Sequence, residues 1–185
     1  MSTTLYLFLD TETTGLEDGD QIWQLAWILE DAHGNEISRR NRMIAHSRNP
    51  SPWVLQNTAY VDVCSKTEQW SPSTLLAEMT FLRKLVRDRG LIPSKDVYLV
   101  GAVPSFDDQK IRKIVTPQWH HHLICIEVLI MGAFGLEVPP KLGELEKLTG
   151  VTNARPHDAL ADAQHVRDLF HWLRTKNAAL QSGAA

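Results

Sequence analysis

Four acids and a histidine stand at positions from which a folded chain could bring them together. Asp10 and Glu12 follow the hydrophobic run Leu5-Tyr6-Leu7-Phe8-Leu9. In a strand, a two-residue spacing puts both carboxylates on one face and Thr11 on the other. Asp107, beside Asp108, follows a second hydrophobic stretch, LVGAV at 99–103. His157 and Asp162 lie in PHDALADAQ (156–164). In one continuous helix, five steps of about 100° would set these two about 140° apart. They can share a site only if His157 precedes the helix or sits in a distorted first turn. Pro156 favours that arrangement by disfavouring helix at Arg155, which leaves Asp158 as the N-cap. Each feature alone has a plainer reading: solvated acids at a strand end, or helix N-terminal acids answering the macrodipole, which suits Asp108.

Taken together, Asp10, Glu12, Asp107 and Asp162 pose an electrostatic problem. Two carboxylates ~4 Å apart repel by about 4 kcal/mol at an effective dielectric of 20. Divalent cations remove the repulsion, and an all-oxygen set without cysteine suits Mg²⁺ or Mn²⁺. Two such ions about 3.5–4 Å apart form a known arrangement for in-line attack on a phosphodiester. A histidine is suited to take the proton of the attacking water near neutral pH.

These side chains need a scaffold. Residues 4–10, 21–30 and 36–45 read as strands, with a hairpin turn at 33–35. A strand is expected at 96–103 and a fifth within 120–131, running into a helix. Helices are expected from Pro52 to about Tyr60, over 72–89, 105–115 and 141–149, and from Asp158 to about Lys176. Three consecutive strands followed by alternating helices and strands imply an α/β fold. Its sheet is mixed and five-stranded, a three-stranded antiparallel meander plus two parallel strands, flanked by helices. Chemistry in such sheets gathers at the carboxyl ends of parallel strands.

The 185 residues are best read as one domain over 1–180 with a frayed tail at 181–185. A net charge of -3 argues against a protein coating long nucleic acid through many phosphate contacts, but allows a small site helped by metal ions. The apolar runs are too short for a membrane span, and no secretory signal is visible. Cys64 and Cys125 read as reduced core thiols, which makes a cytoplasmic location the expectation.

The set FLDTETTGL (8–16), FD (106–107) and HDALAD (157–162) resembles the DEDDh 3′–5′ exonucleases, a group that includes proofreading subunits of bacterial replicases, ribonuclease T and oligoribonuclease. The resemblance spans roughly residues 4–175. It implies a ribonuclease H-like fold and two-metal removal of nucleotides from a 3′ end. Asp10, Glu12, Asp107 and Asp162 would be ligands for two Mg²⁺ or Mn²⁺, and His157 the general base. The family's second motif often reads G-H-N before the F-D, whereas this chain has Gly101-Ala102-Val103; that departure bears on substrate preference. The Thr-Thr after Glu12 is closer to proofreading-type members and leans towards DNA.

Candidates for substrate contact are Thr11, Thr13, Thr14, Gly15, Leu16, Trp53 and Phe106. The two threonines could offer hydroxyls and backbone N–H groups. Gly15 could permit close approach or positive φ. Leu16 could wedge against the last base, and Trp53 and Phe106 could stack on bases. Leu16 and Phe106 could equally be core residues. Arg39, Arg40 and Arg42 read as a solvated face, while Lys110, Arg112 and Lys113 are placed to meet phosphate. His120-His121-His122 would alternate faces in a strand and so would not converge on an ion. The expected partners are single-stranded DNA or RNA 3′ ends, with a DNA polymerase or another replication or repair protein possible, no membrane, and a homodimer left open. Two alternatives stand beside an active DNA exonuclease: trimming of RNA or small oligoribonucleotides, and a largely non-catalytic binding module.

Overall fold

The computed structural model describes residues 4–65 and 73–181. In chain order its elements are β1 (Leu5–Thr13), β2 (Ile22–Asp31), β3 (Glu36–Met43), α1 (Pro52–Asn57), α2 (Tyr60–Ser65), α3 (Leu75–Arg87), α4 (Pro93–Asp96), β4 (Val97–Gly101), α5 (Pro104–Arg112), β5 (Ile124–Cys125), α6 (Ile126–Phe134), α7 (Leu142–Thr149) and α8 (Ala159–Gln181). The sheet order is β3-β2-β1-β4-β5. β1 and β3 run antiparallel to β2, while β4 lies parallel to both β1 and β5. This is the mixed five-stranded sheet that the strand pattern implies.

β1 shows how the sequence divides the molecule. Leu5, Leu7 and Leu9 pack with Leu75, Met79, Leu82 and Val86 of α3. Phe8 belongs to the opposite cluster, with Val166, Leu169, Phe170 and Leu173 of α8. Because side chains alternate along a strand, Asp10 and Glu12 extend the Phe8 row towards α8, and Thr11 extends the leucine row. α8 presents an i, i+3, i+4, i+7 apolar stripe. At its start the fully buried Ala159 and Ala163 are small enough to let the helix lie close to the sheet.

Several elements differ from the sequence reading. β1 reaches Thr13 rather than ending at residue 10, because β2 continues the ladder through Glu12↔Gln24. Asp10 and Glu12 are therefore held within a paired strand. α2 and α4 are short helices that the pattern did not predict, and the helix after Pro52 stops at Asn57. β5 is only two residues long, and His120–His122 lie in a bend before it. α8 runs past residue 176. The expected frayed tail lies almost wholly outside the described residues, as does the expected start of the third helix at residue 72.

The arginines of β3 have partners. Arg40 and Arg42 lie 3.2 and 3.4 Å from the carboxylate of Glu78, which is buried in α3; the expected solvated face is instead a clamp between sheet and helix. On the other face, the fully buried Glu30 accepts from Arg167 Nε at 2.8 Å and lies 2.7 Å from His171 Nε2. These contacts tie α8 to β2. Glu30→Ala should therefore destabilise the domain by about 1–3 kcal/mol, because it removes the buried partner of both Arg167 and His171 and leaves the guanidinium only Glu36 and Gly34 O. Urea unfolding measures this, and an unchanged midpoint would show that the pair contributes nothing.

Candidate active site

The cleft sits at the carboxyl end of β1 and has a volume of about 780 Å³. Asp10, Glu12, His157 and Asp162 all line it. Ligand atoms of Glu12, His157 and Asp162 lie within 4.8 Å of one another. Two elements deliver them: the Phe8 row of β1, and the segment entering α8.

That segment resolves the five-residue spacing. His157 has φ +63°, the left-handed region, which is uncommon for a residue other than glycine. The helix begins just beyond it, where Asp158 Oδ1 accepts from Ala161 N at 3.2 Å and Asp158 O from Asp162 N at 2.9 Å. The backbone reversal folds His157 back over the first turn, and its own N–H donates to Asp162 Oδ2 at 2.9 Å. The imidazole also meets the Trp53 ring edge-on, with centroids 5.4 Å apart. Asp162 is held from its other side by Asn153 Nδ2, 2.5 Å from Oδ1. Asn153 is in turn fixed by its backbone N–H to Glu146 Oε1 at 2.6 Å. Gln24, opposite Glu12 on β2, accepts from Ala159 N at 3.4 Å and so pins α8 to the strand pair that carries the acids.

Asp107 approaches from a different direction. It lies in the first turn of α5, and its Oδ1 accepts from both the backbone N (3.0 Å) and the hydroxyl (2.6 Å) of Thr11. The carboxylate is thus fastened to Thr11, close enough for its charge to raise Asp10 and Glu12, though it is not among the residues lining the cleft. Thr11 serves to hold it. Neighbouring Asp108 bonds Trp119 Nε1 at 2.8 Å and Arg112 Nε at 2.6 Å, so its role is tertiary rather than that of a free helix-end acid.

Burial pushes all four carboxylates above their ordinary range. Asp10 is raised well up, first by burial and then by the charges of Asp107, Asp162 and Glu12. Glu12 is raised to about 8 by burial and by Asp162 and Asp107. Asp107 rises to about 7, again by burial, against the lowering effect of its Thr11 bonds. Asp162 is raised by burial despite the His157 and Asn153 bonds. Among the described residues, none donates a hydrogen bond to the Asp10 or Glu12 side chain. A set of crowded acids left without donors fits divalent cations: four carboxylates carry the charge that two such ions neutralise.

The same shifts set a pH dependence. The folded metal-free chain keeps protons that the unfolded chain releases near pH 4–4.5, so the unfolded state binds fewer protons and stability falls as pH rises. The acids with lowered values, Asp18, Asp31 and Glu36, act below that window. In EDTA, the melting temperature should therefore drop between pH 5 and 8. Mn²⁺ or Mg²⁺ should restore more of it at pH 8 than at pH 5. A melting temperature that is flat across this range would contradict the burial argument.

The loop after β1 differs from expectation in detail. Thr13 Oγ1 donates to Gly15 O at 2.6 Å, and Thr14 Oγ1 to Asp20 Oδ1 at 3.0 Å. The Thr14 N–H goes to Gln21 O at 2.8 Å. These hydroxyls, and that N–H, hold the loop together rather than pointing free into the cleft. Gly15 is not at positive φ. It is small because a Cβ there would come within 2.4 Å of Asp20 Oδ2. Leu16 is 84% exposed and Trp53 55% exposed, and both line the cleft with half-buried Phe106. Neither Leu16 nor Phe106 is fully enclosed in the core.

The lysines after Asp107 are engaged elsewhere. Lys110 Nζ donates to Glu17 O at 2.5 Å, Lys113 pairs with Asp18, and Arg112 pairs with Asp108. Arg48 is the one lysine or arginine among the lining residues, held at 2.8 Å from Asp20 Oδ1 and 3.1 Å from Glu17 Oε2. Sequence reasoning missed Arg48, Gln24, Glu146, Asn153 and the lining residue His165. Arg48 and Gln24 join segments distant in the chain, while Glu146, Asn153 and His165 bond across the loop before α8, and no spacing rule marks either kind of contact.

A family model described as exonuclease, RNase T, matches residues 7–170. The chain belongs to the RNase T exonuclease family. Exonucleases of this family depend on divalent metal ions, in keeping with the acidic cleft. No curated protein sequence matches the chain.

Among solved structures, the E. coli ExoI–ssDNA complex in its zinc-bound form aligns with a TM-score of 0.70 at 20% identity, over 97% of this chain and 42% of that one. The cell-death related nuclease CRN-4 aligns at 0.67 and 16% identity, over 94% and 64%. A 3′-exonuclease described as recognising the histone mRNA stem-loop aligns at 0.66 and 15% identity, over 97% and 82%. The chain thus spans less than half of ExoI. At these identities the likeness establishes that this RNase T family domain shares the ribonuclease H-like nuclease fold. Among the described residues, no helix is long and apolar enough to cross a membrane.

Proposed function

We propose that this domain is a metal-dependent 3′–5′ exonuclease that hydrolyses the terminal phosphodiester of single-stranded nucleic acid, with DNA favoured. One observation carries the reading: Asp10, Glu12, Asp162 and His157 converge on an open cleft whose mouth carries exposed Leu16 and Trp53. Asp10, Glu12 and Asp162 would hold two Mg²⁺ or Mn²⁺ ions, with Asp107 joining them from the first turn of α5. When bound, these ions neutralise the carboxylates and polarise the scissile phosphodiester.

The chain's own groups do the rest. His157, exposed at the cleft edge and oriented by Asp162 and Trp53, takes the proton of the attacking water. Arg48 lines the cleft and would reach a backbone phosphate only by exchanging its pairs with Glu17 and Asp20. Leu16, Trp53 and Phe106 hold the terminal bases by contact with their apolar faces. Because Trp53 would contribute a stacked base, Trp53→Ala should raise KM by about 5-fold to 100-fold. Its loss should also loosen His157. A steady-state assay showing an unchanged KM would remove Trp53 from the substrate path.

A matched panel tests the reading: 5′-labelled ssDNA, dsDNA, ssRNA and dinucleotides, each with Mg²⁺, with Mn²⁺ and with EDTA. Stepwise shortening of ssDNA that EDTA abolishes is the expected result. Faster shortening of ssRNA or dinucleotides would favour the RNA-trimming reading. Tight 3′-end binding with no product would favour a binding module.

A further inference from the structure

We propose that His120, His121 and His122 form a second metal site, for a nitrogen-preferring transition ion such as Zn²⁺, separate from the carboxylate cleft. Consecutive histidines in a strand would point to alternate faces. Here the segment is a bend, not a strand. One ring nitrogen from each histidine lies within 4.8 Å of the others. The ring centroids are 4.2, 4.8 and 4.1 Å apart in pairs.

The bend is held on rigid structure. His120 N donates to Val97 O at 2.6 Å, and its ring stacks on Tyr98 of β4 with centroids 4.9 Å apart. His121 and His122 are exposed. Zn²⁺ binds imidazole nitrogen at about 2.0–2.1 Å, which places tetrahedral donors about 3.4 Å from one another. The donor nitrogens need close by about 1.4 Å at most while the rings splay apart slightly, within the reach of exposed side chains rotating about χ1 and χ2. His120 Nδ1 accepts the His122 N–H at 3.0 Å, so ligation either uses the other nitrogen of His120 or replaces that bond. Three imidazoles and an open fourth position suit Zn²⁺, Ni²⁺ or Cu²⁺ and not Mg²⁺, whose preference for oxygen directs it to the acids.

The two sites lie at opposite ends of the sheet. Val97 pairs with Leu5, the first residue of β1, whereas Asp10 and Glu12 are five and seven residues further along. At ~3.3 Å per residue the separation is about 20 Å. A metal here would fasten the 120–122 bend to β4 and leave the cleft free.

Calorimetric titration with Zn²⁺ tests this on protein stripped of metal and carrying Asp10→Asn and Asp162→Asn, which weaken the cleft as a competitor. One equivalent is expected, insensitive to excess Mg²⁺. Adding His121→Ala and His122→Ala should weaken it by more than about 100-fold, beyond the ~10–100-fold that a metal site loses with an outer partner. With Cu²⁺, electron paramagnetic resonance should show nitrogen hyperfine splitting that the histidine variant lacks. The His121→Ala/His122→Ala protein with its acids intact should keep its nuclease activity. Equal Zn²⁺ affinity with and without the histidines, or no binding to either protein, overturns the proposal.

Discussion

Replacing Asp162 by alanine is expected to lower the exonuclease rate by about 10³-fold or more, while leaving the domain folded. The magnitude follows from the several kcal/mol of charge stabilisation that a metal site supplies, at tenfold per 1.36 kcal/mol. Asp162 would do more than ligate metal. Its Oδ2 receives the His157 backbone N–H and its Oδ1 receives Asn153, so the substitution frees both the histidine and the loop before α8. Stability should hold or rise in the absence of metal, because one of four mutually repelling acids is gone; burial already holds this carboxyl above its ordinary range. Single-turnover digestion of a 5′-labelled oligonucleotide, paired with a thermal melt in EDTA, checks both parts. Activity within tenfold of the parent would remove Asp162 from the metal site.

His157→Ala is the second large effect, expected at about 10²–10⁴-fold in kcat, the usual range for a lost general base. KM should change little, since as the proposed base the imidazole would act on the attacking water and not on the bound bases. Metal affinity should also survive, because Asp10, Glu12 and Asp162 remain. The variant separates two roles that the geometry allows. Glu12, His157 and Asp162 offer ligand atoms within 4.8 Å of one another, so His157 could instead be a direct ligand. In that case Mn²⁺ affinity would fall together with kcat, and calorimetry would show it. A base is the expected outcome: low kcat with Mn²⁺ binding retained.

Much of this architecture was legible in the residues. Alternation in Leu5–Glu12 fixes which side chains share a face, because strand periodicity is local geometry. The hydrophobic runs mark the strands, and the helical stripe of Val166, Leu169, Phe170 and Leu173 marks the face of α8. The five-residue gap between His157 and Asp162 required a break in helical phase, and the structure places it at His157 itself, at φ +63°. Boundaries were less legible. β1 runs to Thr13 because β2 offers partners that far, and pairing is a tertiary event that no single strand encodes.

Local residue pattern therefore specifies the list of chemical groups and the faces they occupy: two acids on one side of β1, Thr11 on the other, and an acid on a helix preceded by a histidine. How each group is used depends on long-range packing. It fastened Asp107 to Thr11, turned Lys110 and Lys113 onto the Glu17–Asp20 turn, and placed Arg48 at the cleft. It also bent His120–His122 out of strand geometry and brought their rings together. The physical reason is range. Periodicity and capping act over a few residues and can be read along the chain, whereas hydrogen bonds and ion pairs between residues 90 or more apart exist only once the sheet and helices have packed.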